Sequence, residues 1–484
     1  MKFVVIKSPK ALIPDYMPQV FKIVKSIAIP VVLQKRAGAS RVTVEGYLRV
    51  LMYYQESAEG ALCCLEQKQS FSKTFELEQS DFESADICTS GETEYINCRA
   101  VNERRVDIRG AYMLVVRAYA CVKKQVVTSL SGCGIQQSTA AIKSICTSQP
   151  YEKPVTLADK IKLAQTPEAI VDTSLSCSVS DCKLASGKAV CKGEVQVTVL
   201  YRVKGASALV KDTKILPFNE TAELNSASDN DSAFVLVQPV SAAVTQGEGE
   251  VYKATASILL DIYSVGSSEV MAVSDAFSTE YETELSYDSI VCEIASQSAR
   301  YKQEITLEGK MPDENAEILG AVAEITAPEP AQLDSGTKLR GRVSAHVFCK
   351  NSLGEIDCYD KASEYILPAE LTQPPEKRCT RTSAFIKELS ARKAAGEMSV
   401  VILLETDGTV TQLGETKAVT SAECTTPREK KDDASLRIYY AEEGEKLFDI
   451  GKRYAASPQH IAQANGITAE TLDEQTRLLI PLSV

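Results

Sequence analysis

The chain contains no tryptophan and only two histidines in 484 residues. It also has no run approaching 18 uninterrupted apolar residues, no C-x-x-C pair and no G-x-x-x-x-G-K-S/T loop. Each absence removes a class of function. A helix needs roughly 20 apolar residues to cross a bilayer, so none is expected. Zinc held by cysteines wants pairs at short spacing, and a nucleotide phosphate loop has its own glycine signature. A Ser-His-Asp or Cys-His centre would have to use His346 or His460, and neither stands in a nucleophile motif. Both imidazoles are read as structural or surface groups, and no catalytic residue, metal ligand or cofactor is expected.

Positive charge is also in deficit. Lys and Arg number 53 against 65 Asp and Glu, a formal net charge of −12. Phosphate backbones and anionic membranes call for clustered cations, so neither nucleic acid nor membrane insertion is expected. Carboxylates are so abundant that pairs of them carry no information. The 15 cysteines are odd in number and irregular in spacing, with Cys63 and Cys64 adjacent and Cys177 near Cys182. The opening stretch MKFVVIKSPKALIPDYMPQV has no long apolar core followed by a cleavage site. A cytosolic setting with reduced, buried thiols follows as the expectation, with oxidative crosslinking in an outer shell as the competing reading.

What the chain does have is a repeat. VTVEGYLRVLMYYQ from Val42, AVCKGEVQVTVLYR from Ala189 and KLRGRVSAHVFCKN from Lys338 align on Gly46, Gly193 and Gly341, which lie 147 and 148 residues apart. Counting on, Leu48, Val195 and Val343 coincide, then Val50, Val197 and Ala345, then Met52, Val199 and Val347, with Arg49, Gln196 and Ser344 between the first two sets. Alternation with period two marks strands with one face on a core. Phe71, Phe218 and Tyr365 recur at the same lag, as do Glu76, Glu223 and Glu370, and polar links holding Gly60, Gly205 or Gly354 suit hairpin turns. Upstream, PDYMPQVFKIV from Pro14, LAQTPEAIVDT from Leu163 and MPDENAEILGA from Met311 place apolar residues at three- to four-residue spacing after a proline or an acid, which predicts a short helix in each unit. The expected fold class is mainly β: three tandem β-rich modules, each with a short helix, over residues 1–150, 151–296 and 297–427.

A charged linker, 428–436, leads into a different pattern over 437–484. Arg437 to Tyr440 alternates as a strand; Leu447, Ile450 and Tyr454 share a helical face; Pro458 to Ala464 reads as a second helix; Leu478 to Ile480 closes as a strand. The predicted order is βααβ, a small α+β domain.

This segment resembles the LysM family through Tyr440, Gly444, Leu447, Ile450, Tyr454, Ile461, Asn465, Ile467, Leu472, Leu479, Ile480 and Pro481. The resemblance implies a ligand groove between the loop before the first helix and the loop after the second, formed by Gly444, Glu445, Lys446, Leu447, Asn465, Gly466 and Ile467. Glycan-binding members usually read Gly-Asp-Ser/Thr-Leu in the first loop, whereas Gly444-Glu445-Lys446-Leu447 stands here. Glu445 is read either as a ligand contact or as a partner of the positive helix end. Asn465 is read as a ligand contact or, with Gly466, as the turn out of the second helix.

The repeats resemble the SPOCS-type sporulation coat domain, through Asp15 to Val24 and the V-x-G-x-L-x-V-x-x-x-Y strands. Together the two resemblances imply a spore-coat assembly scaffold in the mother-cell cytoplasm at the forespore surface. Its implied partners are a SpoIVA-like coat-basement ATPase, bound by the LysM domain, and other spore-coat proteins. Peptidoglycan or chitin-type glycan is the alternative ligand.

Overall fold

A computed structural model of the chain describes residues 2–38, 40–77, 84–224, 227–228, 230–247, 251–311, 313–394, 397–429 and 437–481. In the first repeat, β1 (Lys2–Leu12), β2 (Lys22–Gly38), β3 (Arg41–Gln55), β4 (Leu62–Glu76), β5 (Ser84–Asn102) and β6 (Arg105–Cys121) form two antiparallel three-stranded sheets, β2-β3-β4 and β1-β6-β5. After β7 (Ile135–Thr147), the second repeat supplies β8 (Tyr151–Lys162), β9 (Ala169–Ala185), β10 (Lys188–Arg202), β11 (Val210–Glu223), β12 (Ser232–Gln246) and β13 (Val251–Ser278). They pair in the same way, as β9-β10-β11 and β8-β13-β12. Beyond β14 (Tyr281–Ser298), the third repeat runs through β15 (Tyr301–Lys310), β16 (Glu317–Ile325), β17 (Glu329–Leu333), β18 (Gly336–Lys350), β19 (Ile356–Ile366), β20 (Arg378–Ala394) and β21 (Glu397–Pro427). Here β16 and β17 together take the place of one strand beside β18.

In every repeat the middle sheet packs on the outer one around an apolar core. Val42, Val44, Leu48, Val50 and Met52 of β3 meet Val106, Ile108 and Leu114 of β6. Val195, Val197 and Val199 of β10 meet Ala254, Ala256 and Ile258 of β13, and Val343, Ala345 and Val347 of β18 meet Val400 and Ile402 of β21. Alternation puts these side chains on one face, and their burial drives the two sheets together.

The expected helices are not there. The structure is 73% strand and 4% helix; among the described residues both α-helices lie after residue 440, and the only helical turn in the repeats is a three-residue 3-10 turn at Pro375–Lys377, away from the predicted positions. At 13–21, the Met17 N–H donates to the Pro14 carbonyl at 2.9 Å and closes one turn. Pro18 has no N–H to continue it, and Ile13 and Val20 instead donate to the carbonyls of Arg104 and Glu103. Ile13 and Val20 are buried in the repeat's core with Met17 packed against it, so the spacing that mimics a helical stripe belongs to a looped connection with its apolar side chains turned inward. Segments 163–168 and 313–316 are likewise bends and turns.

Nor are the repeats tandem modules. Residues 1–122, 147–266 and 296–412 form one compact unit. The reason is the second face of the middle sheets. Ile27, Leu51, Tyr53 and Leu62, then Val171 and Leu200, then Leu319, Val322, Phe348 and Ile356 are apolar on the side away from their own sandwich and bury one another in a shared core. A sheet that is apolar on both faces must be covered on both.

Residues 123–146, 267–295 and 413–484 form the second unit. Val127, Val273 and Val419, spaced 146 apart, come together: the Val127 N–H donates to the Val419 carbonyl at 3.1 Å and the Val273 N–H to the Val127 carbonyl at 2.8 Å. Ala272 and Ala418 pack with Ile142, again one residue from each repeat's extension. The predicted linker at 428–436 lies outside the described residues from 430 onward. The unit ends in β22 (Arg437–Ala441), α1 (Leu447–Tyr454), α2 (Pro458–Asn465) and β23 (Thr476–Ile480), around a separate core of Ala441, Leu447, Ile450, Ile461, Leu472, Leu478 and Ile480.

Candidate binding surface of the C-terminal segment

Two loops flank the expected groove, one before α1 and one after α2, and their backbones are joined to each other. The Gly444 N–H donates to the Leu472 carbonyl at 2.8 Å, the Leu472 N–H to Glu445 at 3.0 Å and the Leu447 N–H to Glu470 at 2.9 Å, with Lys446 bridged to Thr471. These peptide groups are already paired and present a closed seam.

The side chains complete the picture. Glu445 does not cap α1: its carboxylate accepts the Glu442 N–H at 3.0 Å and the Tyr439 hydroxyl at 2.9 Å, closing the turn at 442–445. The Glu442 N–H, followed by the Tyr439 hydroxyl, holds the Glu445 carboxyl below its usual range. Arg453 stands 3.6 Å from the same carboxylate. Leu447 is in the core, and Ile467 packs against it. Asn465 is a clamp: its amide donates to the carbonyls of Ile461 and Leu479, each at 2.8 Å, and its oxygen accepts the Leu479 N–H at 2.7 Å. Gly444 and Gly466 take positive φ, +88° and +66°, where a side chain would be strained. Of the seven residues, Lys446 alone extends a long side chain into solvent.

The outer face of the β22–β23 pair is where apolar surface is left over. Ile438 and Tyr440 are 52% and 67% exposed. They stand directly across from Leu479 and Arg477. The result is a stripe of aliphatic, aromatic and guanidinium groups on a two-stranded antiparallel sheet. Tyr440 entered the sequence reading as a strand residue and a family match; an alternating strand does not reveal which of its faces is left uncovered.

In the first unit, a cavity of about 610 Å³ is lined from all three repeats by Lys35, Arg49, Asp172, Asp261, Glu324 and Arg342, among others. Two of its ion pairs cross between repeats. Lys35 reaches Asp261 at 2.9 Å, and Arg49 lies 3.6 Å from Asp172. Burial would lower the Lys35 ammonium's pKa, but Asp261 outweighs it and the net direction is up. Burial pushes the Asp172 carboxyl up, with Arg49 opposing. These residues leave no trace at the repeat lag because each occupies a position filled differently in its sister repeats. Compared with protein-family models, curated proteins and solved structures, the chain matches none.

Proposed function

We propose that the chain is a non-enzymatic scaffold of spore-coat assembly, similar in kind to SipL and in layout to SpoVID. In this reading the C-terminal segment is a LysM relative turned toward protein recognition. It docks on a SpoIVA-like coat-basement ATPase at the forespore surface, while the repeats carry other coat proteins. The observation that carries it is the exposed stripe of Ile438, Tyr440, Leu479 and Arg477 beside a loop seam whose backbone is already paired. Tyrosine and arginine around an aliphatic centre are the groups enriched at protein interfaces. A glycan read by the loops would need peptide groups that this seam has used.

The test is capture of the full chain by an immobilised SpoIVA-like ATPase. Ile438→Ser with Tyr440→Ser, and separately removal of 437–484, should each lower capture at least tenfold. Undiminished capture refutes the reading. Sedimentation of the chain with purified peptidoglycan, abolished by Lys446→Ala but not by the stripe substitutions, would replace it with the glycan alternative.

A further inference from the structure

We infer that the third repeat holds a site for a borderline-soft divalent cation of the zinc class, ligated by His346 Nδ1, Cys358 Sγ and Asp360 Oδ1. The strand register assembles it. Asp360 of β19 is directly opposite His346 of β18, and Cys358 is opposite Phe348, two residues along. Direct and diagonal cross-strand neighbours share a face, so three residues with no motif spacing converge. Their ligand atoms all lie within 4.8 Å of one another. Nδ1 is 2.8 Å and Sγ 3.4 Å from the same Asp360 oxygen.

The surroundings are those of a metal-binding imidazole. Glu324 of β16 lies 3.3 Å from Nε2 of His346 on the ring's far side. A ligating histidine characteristically gives its second N–H to a carboxylate, which fixes the tautomer and leaves the first nitrogen's lone pair for the cation. Lys25, from β2, donates to the other oxygen of Asp360 at 2.5 Å and so holds that carboxylate with Oδ1 toward the site. Zinc arms of about 2.0–2.3 Å set ligands roughly 3.3–3.5 Å apart, so the 2.8 Å hydrogen bond opens by about half an ångström while the sulfur contact is already at length. The Asp360 side chain is 53% exposed, which leaves the fourth position to water. Thiolate and imidazole select zinc over magnesium or calcium.

Charge also balances. Binding displaces the Cys358 thiol proton to solvent, and the two negative carboxylates, the thiolate, Lys25 and the dication then sum to zero around a neutral imidazole.

The sister repeats serve as internal controls. On the same scaffold His346 is replaced by Leu51 and Thr198, Asp360 by Glu66 and Thr213, Cys358 by Cys64 and Lys211, and Glu324 by Ile29 and Ser176. The architecture therefore tolerates aliphatic, hydroxyl and other charged groups at these positions, and the His-Cys-Asp-Glu set appears together in one repeat only.

The experiment uses the full chain, kept reduced with a phosphine and stripped with chelator. Zn2+ alone is equilibrated by dialysis and counted by elemental analysis, and Co2+ is followed by absorption. The expected result is one zinc per chain and a near-ultraviolet thiolate-to-cobalt band with the visible bands of a tetrahedral centre. Cys358→Ser should abolish the band. Glu324→Gln should weaken zinc binding about 10- to 100-fold, and Asp360→Asn, at an exposed carboxylate that cannot unfold the core, at least tenfold. Cys182→Ser should change nothing. A chain that retains no zinc, or a cobalt band that survives Cys358→Ser, overturns the assignment.

Discussion

A methyl group added at Gly193 would sit 2.3 Å from the Ser178 carbonyl oxygen and 2.5 Å from the Phe218 ring. Gly46 and Gly341 are equally hemmed in, and the residues facing them across the sheet are Phe71 and Tyr365. An aromatic ring laid over a strand glycine covers backbone that would otherwise be bare. Gly193→Ala should therefore lower the stability of the first unit by about 1–3 kcal/mol, as overpacking does, seen as a lower urea midpoint at unchanged slope; an unmoved midpoint would contradict the crowding. Asn465→Ala removes three hydrogen bonds and strands the Leu479 N–H, at a cost of about 3 kcal/mol to the C-terminal segment. A residue used only to touch ligand would leave the melting temperature where it was. The glycines and their aromatics were legible at a fixed lag. Asn465 was legible as a turn, but its reach to Leu479 depends on how β23 lies against α2. His346 was read as a solitary imidazole because its partners stand 12 to 22 residues away, and only strand register brings them to it.

Among elements, the hairpins could be read from alternation and turn glycines, whereas the helices predicted at Pro14, Leu163 and Met311 could not survive. A spacing of three to four also arises where a loop tucks both ends into a core, and prolines supply the turns. Two contacts between elements give measurable consequences. Arg117 of β6 donates through both Nη atoms to the Glu329 carboxylate of β17 at 2.6 and 2.7 Å. Burial pushes that carboxyl up, but the Arg117 hydrogen bonds outweigh it and hold it below the ordinary 4.5. A depressed folded pKa means the contact stabilises fully above about pH 4.5 and is lost as pH falls through the folded value. Arg117→Met should therefore flatten the loss of stability between pH 6 and pH 3 by about 1 kcal/mol or less, since both groups are partly exposed. Equal slopes in urea titrations of the two chains would refute it. In the β9–β10 hairpin, Cys182 and Cys191 are directly opposed with their sulfurs 2.7 Å apart. Glutathione disulfide should convert these two thiols to one intramolecular disulfide and two glutathione thiols, read as the loss of two hydrogens in the intact mass and a linked peptide. Both thiols remaining open to alkylation would exclude it.

At the scale of the molecule, the lag of 147 residues announced three related pieces but not their fusion. Leu51 and Tyr53 look like ordinary outward residues of an alternating strand; that their face meets Leu200, Phe348 and Ile356 is a fact about other repeats. Ion pairs between repeats reinforce it, the most enclosed being Arg381 with Asp86 at 2.6 Å. Tyr53 and Phe348 meet at a tilt of 44° with 4.8 Å between ring centroids, within the shared core. Phe348→Ala should cost about 3–5 kcal/mol and lower the unfolding of residues 1–122, 147–266 and 296–412 together, in one transition. Separate melting of the three repeats, with only the third displaced, would refute the shared core.

That arrangement also governs how the protein is made. The apolar stripe of Ile27, Leu51 and Tyr53 finds its partners at Phe348 and Ile356, about 300 residues downstream. At about 5–20 residues per second, roughly 15 to 60 seconds pass before the ribosome delivers the last of what covers that surface, with Val171 and Leu200 arriving sooner. Synthesis of this protein therefore carries a built-in waiting time during which an apolar face of the first repeat is incompletely covered.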